Sequence, residues 1–450
     1  MNCCARNWRN KTQPGERDMK KFFIKTFGCQ MNVYDGQRIA AMRAARGMTE
    51  TDDVSDADII ILNTCAVRAK ATDKVFSALG RIRRAKKPDA LFGIVGCVAR
   101  EAGADAFRRI PELNFVLGPQ SYHKLPALLE NPDSKLLNID LGGLEKFDEM
   151  PRMSVSPVVA YIPIQEGCNH CCTYCIVPYT RGREISRPYA DVVRDCAHAA
   201  ETGAIEICFL GQNVNGYKYT DENGHTFRLS DLIHAAAPLP RVRRIRFTSS
   251  YPTEMTDDLI DMFRTEPKLL PFLNMPIQSG SPNVLTRMNR PYNLNLYIDI
   301  VDKLRRARPD IQISSDFIVG FPGETDADFE QTIEIAKRIK YINSYSFKYS
   351  PRPHTAAAVM PDQIQETVKA ARLAKLDATL NDIQREFNES CINREMDCLC
   401  EGPDKTGRHL VYRTPYMQQC IVAAAPHAPA IARIRITAAN KASLRGEFVD

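Results

Sequence analysis

Glu166-Gly167-Cys168-Asn169-His170-Cys171-Cys172-Thr173-Tyr174-Cys175 places four cysteines within eight residues, directly behind an apolar run, Val158–Ile164, that reads as a strand. Soft thiolates gathered in one loop select zinc or an iron–sulfur cluster. A closed zinc site wants a fourth ligand, usually another Cys or His pair at knuckle spacing, and the segment downstream offers none. Three thiolates suit a four-iron cluster that keeps one iron open for a substrate. The spacing admits two registers, Cys168, Cys172 and Cys175 as C-x3-C-x2-C or Cys168, Cys171 and Cys175 as C-x2-C-x3-C.

Reading outward from this loop, apolar runs Ile205–Leu210, Ile245–Ser249, Phe272–Ile277, Ile311–Ile318 and Tyr345–Tyr349 follow the first strand. Helical stretches such as Tyr189–Thr202, Asp257–Arg264, Asn293–Arg308 and Asp326–Lys340 fall between them. Six βα repeats in about 220 residues predict a partial (β/α)6 barrel, with the cysteine run at the carboxyl end of its first strand.

Upstream, one pattern recurs three times: an apolar strand, one or two small residues, a cysteine, then a helical stretch. The three are Phe22–Phe27 to Cys29, Ile59–Leu62 to Cys65, and Leu91–Val95 to Cys97. The cysteines are 36 and 32 residues apart, about one βα repeat each, so adjacent parallel strands bring them to one sheet edge. Core packing is the ordinary fate of isolated cysteines, but the repeated placement points to a shared metal or cluster site. Between Asn131 and Pro157, Gly142, Gly143 and several prolines mark a linker.

Pro361 to Ser390 reads as one long helix, and after it the runs Met396–Cys400, His409–Arg413, Cys420–Ala424 and Ala430–Thr437 predict a small antiparallel β-barrel. Its cysteines 391, 398, 400 and 420 lack zinc-knuckle spacing and read as core. The fold class is therefore α/β in three parts. The expected boundaries are an irregular extension over 1–19, a parallel α/β domain over 20–137, a linker over 138–153, the partial barrel over 154–386 and the small β-barrel over 387–450. Cys3 and Cys4 in the extension are given no function.

Composition narrows the class. The chain has 450 residues, 44% hydrophobic and 25% charged, with 15 cysteines and net charge +6. Such a chain buries more than one core and is neither disordered nor fibrous. No apolar run reaches the ~18 residues of a membrane span, and the N-terminus has no signal-peptide core. The expectation is a cytoplasmic protein whose cysteines are thiols or metal ligands. Segment charges are +2, +6, −3 and +1 for residues 1–19, 20–137, 138–386 and 387–450. The basic excess lies in the first domain, densest at Arg81, Arg83, Arg84, Lys86 and Lys87, a solvated helix face or a polyanion contact.

Several stretches, in this order and spacing, resemble the radical S-adenosylmethionine (SAM) methylthiotransferase family from near Lys20 to the C-terminus. They are Thr26-Phe27-Gly28-Cys29-Gln30-Met31-Asn32, Leu62-Asn63-Thr64-Cys65-Ala66-Val67-Arg68, Gly96-Cys97 and Gly167-Cys168. Cys175-Ile176-Val177-Pro178-Tyr179-Thr180-Arg181-Gly182, Gln278-Ser279-Gly280-Ser281, Asp316 through Glu324 and Tyr349-Ser350-Pro351-Arg352-Pro353 continue the match. The Gly-Cys-Gln-Met-Asn form, with Val75-Phe76 and Leu79-Gly80 after it, resembles the tRNA-modifying branch that makes 2-methylthio-N6-dimethylallyladenosine.

The resemblance implies two [4Fe-4S] clusters, one on Cys168, Cys172 and Cys175 that binds and cleaves SAM, the other on Cys29, Cys65 and Cys97 that takes part in sulfur insertion. It implies SAM contacts from the backbone at Tyr174 and from Gln212, Asn213, Ser249, Gln278 and Asp316, with Glu324 a carboxylate near a helix N-terminus. It also implies a tRNA substrate carrying an isopentenylated adenosine in its anticodon loop, a low-potential electron donor and a monomer. The terminal barrel resembles the TRAM module, with Arg408, Arg413, Arg433 and Arg435 as phosphate contacts or solvated strand-edge charges. At Cys171, Tyr251 and His354 the chain departs from the family's usual residues, and His170 reads as a loop residue, not a ligand. Three functions stay open: this methylthiotransferase, one acting on threonylcarbamoyladenosine or a ribosomal protein, and a non-catalytic iron–sulfur RNA-binding or electron-transfer protein.

Overall fold

The structure, a computed structural model, describes residues 20–66, 69–127, 135–153, 156–425 and 428–449, with backbone alone for 69–73. The extension 1–19, with Cys3 and Cys4, lies outside the described residues, as do Val67 and Arg68. Apolar runs rich in β-branched residues form the first sheet. Its strands are β1 (Lys21–Thr26), β2 (Thr49–Glu50), β3 (Ile59–Thr64), β4 (Leu91–Gly96), β5 (Phe115–Leu117) and β6 (Leu136–Asn138). All are parallel, in the order β2-β1-β3-β4-β5-β6.

Every residue of β3 and β4 is buried, as expected for a parallel sheet covered on both faces. Ile60, Leu62 and Phe92 pack against Val75 and Leu79 on one face, while Phe22, Ile59 and Ile61 pack against Ile39 and Met42 on the other. From β1 the chain goes out to β2 and returns on the other side to β3, so a crevice opens at the carboxyl ends of β1 and β3. The sixth strand ends one residue past the expected 137 boundary. Within the expected linker a short helix, Glu145–Glu149, buries Lys146 and Phe147, so this stretch is built into the packing rather than being a plain tether.

The central domain opens with β7 (Val159–Pro163), then β8 (Gln165–Glu166) and β9 (Ile185–Ser186), an antiparallel pair that closes the cysteine loop at its base. It continues with β10 (Glu206–Leu210), the hairpin β11 (Lys218–Thr220) and β12 (Thr226–Arg228), β13 (Arg244–Phe247), β14 (Phe272–Asn274), β15 (Gln312–Ser314), β16 (Asp316–Val319) and β17 (Tyr345–Lys348). Parallel pairings run β7 to β10 to β13, then β14 to β15 and β16 to β17, with an Ile245–Leu269 bridge joining the first group to the second. The expected strand Ile311–Ile318 is broken at Ser315, whose backbone N–H goes to Ser344 Oγ and whose hydroxyl accepts from Ile277 N. Its first half pairs with β14 and its second with β17, which is how a partial barrel turns its corner. The surrounding helices keep the expected positions to within a residue or two, and Leu229–Ala236 and Pro282–Arg287 are additional.

The long helix is Glu366–Ser390, starting later than Pro361 because Asp362 takes a φ of 61°. Beyond it β18 (Glu395–Pro403), β19 (His409–Arg413), β20 (Gln419–Ala423), β21 (Ile431–Ala439) and β22 (Ser443–Phe448) close a barrel in the order β18-β19-β20-β22-β21. Its pairings are antiparallel except β20 with β22, which is parallel. Cys391, Cys398 and Cys420 lie in its core with Cys400 packed against it, as read from their spacing. The barrel seats on the amino ends of the central strands: Arg244 donates to Arg413 O (2.8 Å) and Thr414 O (3.1 Å), and Tyr416 Oη donates to Asp310 Oδ2 (3.2 Å). It therefore plugs the end of the central barrel opposite the cysteine loop.

Candidate functional site

Cys29, Cys65 and Cys97 follow β1, β3 and β4, three adjacent strands, so the first domain brings all three to one edge. Cys29 is the N-cap of the helix Gln30–Ala44 and Cys97 opens the helix Cys97–Ala102, where free peptide N–H groups favour an anionic sulfur. Gly28, at φ 124°, has no substitute: a Cβ there would stand 2.2 Å from Cys65 Cβ. Two buried asparagines brace the loops. Asn32 accepts from Cys29 Sγ (3.1 Å) and donates to Asn63 Oδ1 and Thr64 O (both 3.0 Å), while Asn63 donates back to Asn32 O (2.6 Å). The Cys29 thiol is drawn down to about 6, chiefly by its hydrogen bond with Cys65, against the pull of burial and with help from the Arg181 charge. Burial pushes the Cys97 thiol up, and Arg181 opposes it.

Arg181 joins the two domains. Its Nη1 lies 2.6 Å from Glu166 Oε1 and its Nη2 3.5 Å from Asp35 Oδ2. Lys146 Nζ is 2.8 Å from Glu166 Oε2 and 3.4 Å from Asp35 Oδ1, and Tyr122 Oη donates to Asp35 (3.2 Å). All four charged side chains are buried, and their two positive and two negative charges cancel. Asp35 comes from the first domain, Lys146 from the expected linker, and Glu166 and Arg181 flank the cysteine loop, so the network fixes one cysteine group against the other.

In that loop Cys168 N donates to Gly182 O (3.2 Å), and Gly167, at φ 79°, lets the chain approach Arg183 O, where a Cβ would come within 2.1 Å. Burial pushes the Cys168 thiol up to about 12, with repulsion from Cys175 and Cys172 adding to it. Burial likewise pushes Cys175 up to about 11, and Cys172 adds to it. These three sulfurs thus sense one another. Cys171 is exposed, its Sγ directed to Asn169 O at 3.6 Å. Each trio offers three cysteine thiols, a set of soft donors. Three such donors at each group fit an iron–sulfur cluster.

Of the residues expected to receive SAM, Gln212 and Asn213 are tied to this loop. Gln212 Oε1 accepts from Gly167 N (2.6 Å), and Gln165 ties down the Gln212 and Asn213 backbone with bonds of 3.0 and 3.2 Å. Asn213 Nδ2 donates to Glu184 (3.2 Å), while Asn213 Oδ1 and Glu254 Oε2 are buried without a hydrogen-bond partner. An amide oxygen and two carboxylates beside Cys168 suit a ligand ammonium group, and burial raises the Glu184 carboxyl, with Asn213 opposing the shift and Glu254 adding to it. Ser249 (φ 62°) and Gln278 (φ 72°) are non-glycine residues in left-handed conformations just past β13 and β14, the kind of strain held at binding sites. Gln278 is bonded on both sides, its N to Asp316 O and its O to Ile318 N (both 2.9 Å). The Tyr174 side chain turns away from this rim to Arg290, whose Nη1 donates to its hydroxyl at 3.1 Å. Glu324 accepts from Gly320 N (2.6 Å) and Arg372 Nη1 (2.7 Å), pinning the long helix to the barrel.

His170 stacks on Tyr251 at 3.6 Å between centroids and 6° between planes, with Nε2 3.1 Å from Glu254 Oε1, so it packs as a loop residue. At the rim Tyr179, 46% exposed, faces His354 with centroids 5.7 Å apart. Arg100, three residues past Cys97, donates to Tyr179 O (3.3 Å), so this aromatic pair lies between the two cysteine groups. In the terminal barrel Arg413 pairs with Glu401, Arg433 with Glu395 and Asp397, and Arg435 with Glu395 and Glu447. These are strand-edge charges already matched. Arg181, Glu166, Asn32 and Asn63 stand in the motifs quoted from the sequence but had been given no role; Asp35, Lys146, Glu184, Glu254 and Arg290 carried no local signal, since each acts through partners distant in sequence.

Comparison with known proteins agrees with this architecture. Residues 21–118 match the Uncharacterized protein family UPF0004 and residues 162–336 match the Radical SAM superfamily. A tRNA-2-methylthio-N(6)-dimethylallyladenosine synthase of Rickettsia conorii is 43% identical over 96% of this chain and 100% of its own length. A protein of the same name from Sphingopyxis alaskensis is 44% identical over 95% of this chain and 97% of its own. Among solved structures, the radical S-adenosylmethionine methyltransferase TsrM from Kitasatospora setae shares the fold at a TM-score of 0.53 and 13% identity, over 86% of this chain and 79% of that one. Among the described residues no helix is long and apolar enough to cross a membrane.

Proposed function

The chain belongs to the tRNA-2-methylthio-N(6)-dimethylallyladenosine synthase family, and from that membership we propose that it adds a methylthio group to carbon 2 of N6-dimethylallyladenosine next to the anticodon in tRNA. The observation that carries the reading is the pair of cysteine groups, each beside the carboxyl ends of parallel strands, held against each other by a buried four-charge network. In this reading Cys168, Cys172 and Cys175 hold one [4Fe-4S] cluster and Cys29, Cys65 and Cys97 a second. Gln212, Asn213, Ser249, Gln278 and Asp316, with the backbone at Tyr174, receive SAM, whose amino group suits the unpartnered Asn213 Oδ1 and Glu254 Oε2. When bound, the clusters and SAM supply radical generation, sulfur and a methyl group.

The chain's own residues do the rest. Gln165 and Gln212 fix the loop before Cys168 to the end of β10. The terminal barrel closes the far end of the central barrel through Arg413 and Thr414, which keeps water from entering behind the site. Tyr179 and His354 offer an exposed aromatic surface for a neighbouring base of an anticodon loop, whose unpaired bases are reachable without melting a duplex. A low-potential electron donor completes the reaction, and the cytoplasm is its setting.

The test is nucleoside mass spectrometry on isopentenylated tRNA lacking the methylthio group, after anaerobic incubation with reconstituted protein, SAM and a low-potential reductant. A methylthio-isopentenyladenosine peak, absent with Cys168→Ala protein, is the expected result. SAM cleavage without that peak overturns the substrate and moves the test to threonylcarbamoylated tRNA and then to ribosomal protein. No cleavage after full cluster assembly overturns the enzyme reading in favour of a non-catalytic iron–sulfur protein.

A further inference from the structure

Arg290 follows the short helix Pro282–Arg287 and is 6% exposed. Its Nε donates to Tyr292 Oη (2.7 Å), its Nη2 to Pro276 O (2.8 Å) and its Nη1 to Tyr174 Oη (3.1 Å), and Nη1 also lies 3.8 Å from Cys172 Sγ. The guanidinium stands 4.6 Å from the Tyr251 ring centroid, and His170 stacks on that same ring. These partners are two phenols, a carbonyl, a ring and a thiol. Among the described residues no carboxylate pairs with Arg290. A desolvated cation with only neutral partners is costly, and buried arginines are ordinarily paired.

The contrast with Arg181 is informative. That cation shares its pocket with Lys146, Asp35 and Glu166, so the surroundings of the first cysteine group carry no net charge from these four. In the second group the cation touches Cys172 Sγ directly, and the carboxylates near the loop, Glu184 and Glu254, are bonded instead to Asn213 and His170. Three thiolates on a [4Fe-4S] core leave a net negative charge that grows by one on reduction, and a buried cation favours the more negative state.

We propose that Arg290 is a positioning residue that holds Cys172 and supplies the compensating charge for a cluster on Cys168, Cys172 and Cys175, making that cluster easier to reduce than its neighbours alone would allow. The proposal rests on the ligand assignment given above. It also assigns a purpose to the Tyr174–Arg290–Tyr251–His170 stack, which delivers the cation from the barrel wall to the loop while the Glu254 carboxylate is taken by His170 at 3.1 Å.

The experiment uses the full chain with Cys29, Cys65 and Cys97 replaced by alanine, so that one cluster remains, and follows its reduction by electron paramagnetic resonance during a potentiometric titration with dithionite or titanium(III) citrate. Four irons per chain in this parent establish the ligand reading independently; a parent that binds no iron overturns that reading and the proposal with it. Arg290→Met and Arg290→Gln, both neutral, are expected to make reduction at least tenfold less favourable, a shift of about 59 mV to lower potential for a one-electron couple. Arg290→Lys, which keeps the charge, should recover most of the shift. Circular dichroism of the apo proteins checks that the variants fold. Unshifted potentials in Met or Gln protein that still binds iron, or a Lys variant shifted as far as Met, would show that the charge does not act on the cluster.

Discussion

Replacing Arg181 by methionine tests whether the buried network locks the first domain to the central barrel. In the native chain Asp35 and Glu166 are 1% and 0% exposed, and Arg181 and Lys146 are 3% and 2% exposed, so none of the four charges is solvated. Without Arg181 the pocket goes from neutral to one net negative charge, with Lys146 left to serve both carboxylates at 2.8 and 3.4 Å. Removing one partner of a buried pair costs about 3–5 kcal/mol. An independent ceiling comes from letting the pocket neutralise itself: protonating an aspartate of ordinary pKa at pH 7 costs about 4 kcal/mol. Asp35 is already displaced in that direction by burial, against the pull of Lys146 and Arg181, so the cost lies below that ceiling, at the lower end of the range for a broken buried pair. The chain has several domains and does not unfold in one step, so the assay is native-state hydrogen exchange of the apo protein, read at the amides of Gln30–Ala44. Opening there should become on the order of a hundredfold more frequent, since each 1.4 kcal/mol is a factor of ten. Adding Glu166→Gln to Arg181→Met restores neutrality and should return much of the loss, a coupling of up to about 3 kcal/mol. Exchange in the single variant equal to wild type, or a double variant showing the plain sum of two losses, would refute the argument.

The other expectations are separable. Cys171→Ser should keep a full complement of iron, whereas Cys172→Ser should lose that of the second group; equal loss from both would return the register to C-x2-C-x3-C. Gly28→Ala forces a Cβ to within 2.2 Å of Cys65 Cβ at a φ of 124°, so it should halve the iron per chain while leaving SAM cleavage detectable; unchanged iron would show that the loop tolerates a side chain. Tyr179→Ala should raise KM for tRNA about tenfold or more, at about 1–3 kcal/mol per stacked base, without changing SAM cleavage in the absence of tRNA. An unchanged KM would remove the aromatic pair from substrate binding. Glu206→Gln strips the carboxylate from between Arg244 (2.9 Å) and Arg246 (2.6 Å), and should lower local stability by about 3–5 kcal/mol, read by native-state hydrogen exchange at the amides of Glu206–Leu210. Since Arg246 and Arg244 hold the Glu206 carboxyl below its usual range despite burial, the native contribution is present above that range and lost as pH falls through the lowered value; a wild-type stability flat in acid relative to the variant would count against it.

Much of this architecture was written locally. The strand–cysteine–helix repeat around Cys29, Cys65 and Cys97 announced a parallel sheet, because each strand is a nearly unbroken apolar run and each turn needs a small residue. Other elements have weaker signatures. The sequence Ser443–Phe448, Ser-Leu-Arg-Gly-Glu-Phe, buries Leu444 deeply and otherwise alternates poorly, so it does not read as a strand until β20 and β21 are in place on either side of it. The break at Ser315 is equally silent, since Ser314-Ser315-Asp316 can also continue an alternating strand and the interruption is made by Ser344 and Ile277 from neighbouring segments. At the site, thiols were legible because their spacing is chemically exceptional, whereas Arg290 and Asp35 look like any surface charge in one dimension. Their burial is fixed by packing between elements that lie far apart in the chain.

Charge placement shows why composition alone misleads about where a polyanion meets this protein. The helix Ala69–Ala85 begins just after Cys65 and runs back along the sheet, so its basic end at Arg81, Arg83 and Arg84 lies roughly 18–23 Å from its start at 1.5 Å per residue. Lys87 confirms the direction: it pairs with Asp58 at 2.9 Å, immediately before β3 at the sheet's amino edge. Part of that patch is also spent, with Arg83 3.6 Å from Glu112. The terminal barrel sits at the other end of the central strands, and its arginines are matched by Glu395, Asp397, Glu401 and Glu447. Among the described residues, then, the basic end of that helix and the last domain's arginines contribute little close to the cysteines. Among the described residues Arg100, Arg183 and Arg352 lie near the rim, and Arg100 donates to the backbone carbonyls of Tyr179 and Ile139. At the rim these charges are joined by the exposed Tyr179–His354 pair, so base stacking on that pair and the shape of the crevice discriminate where phosphate contacts alone cannot.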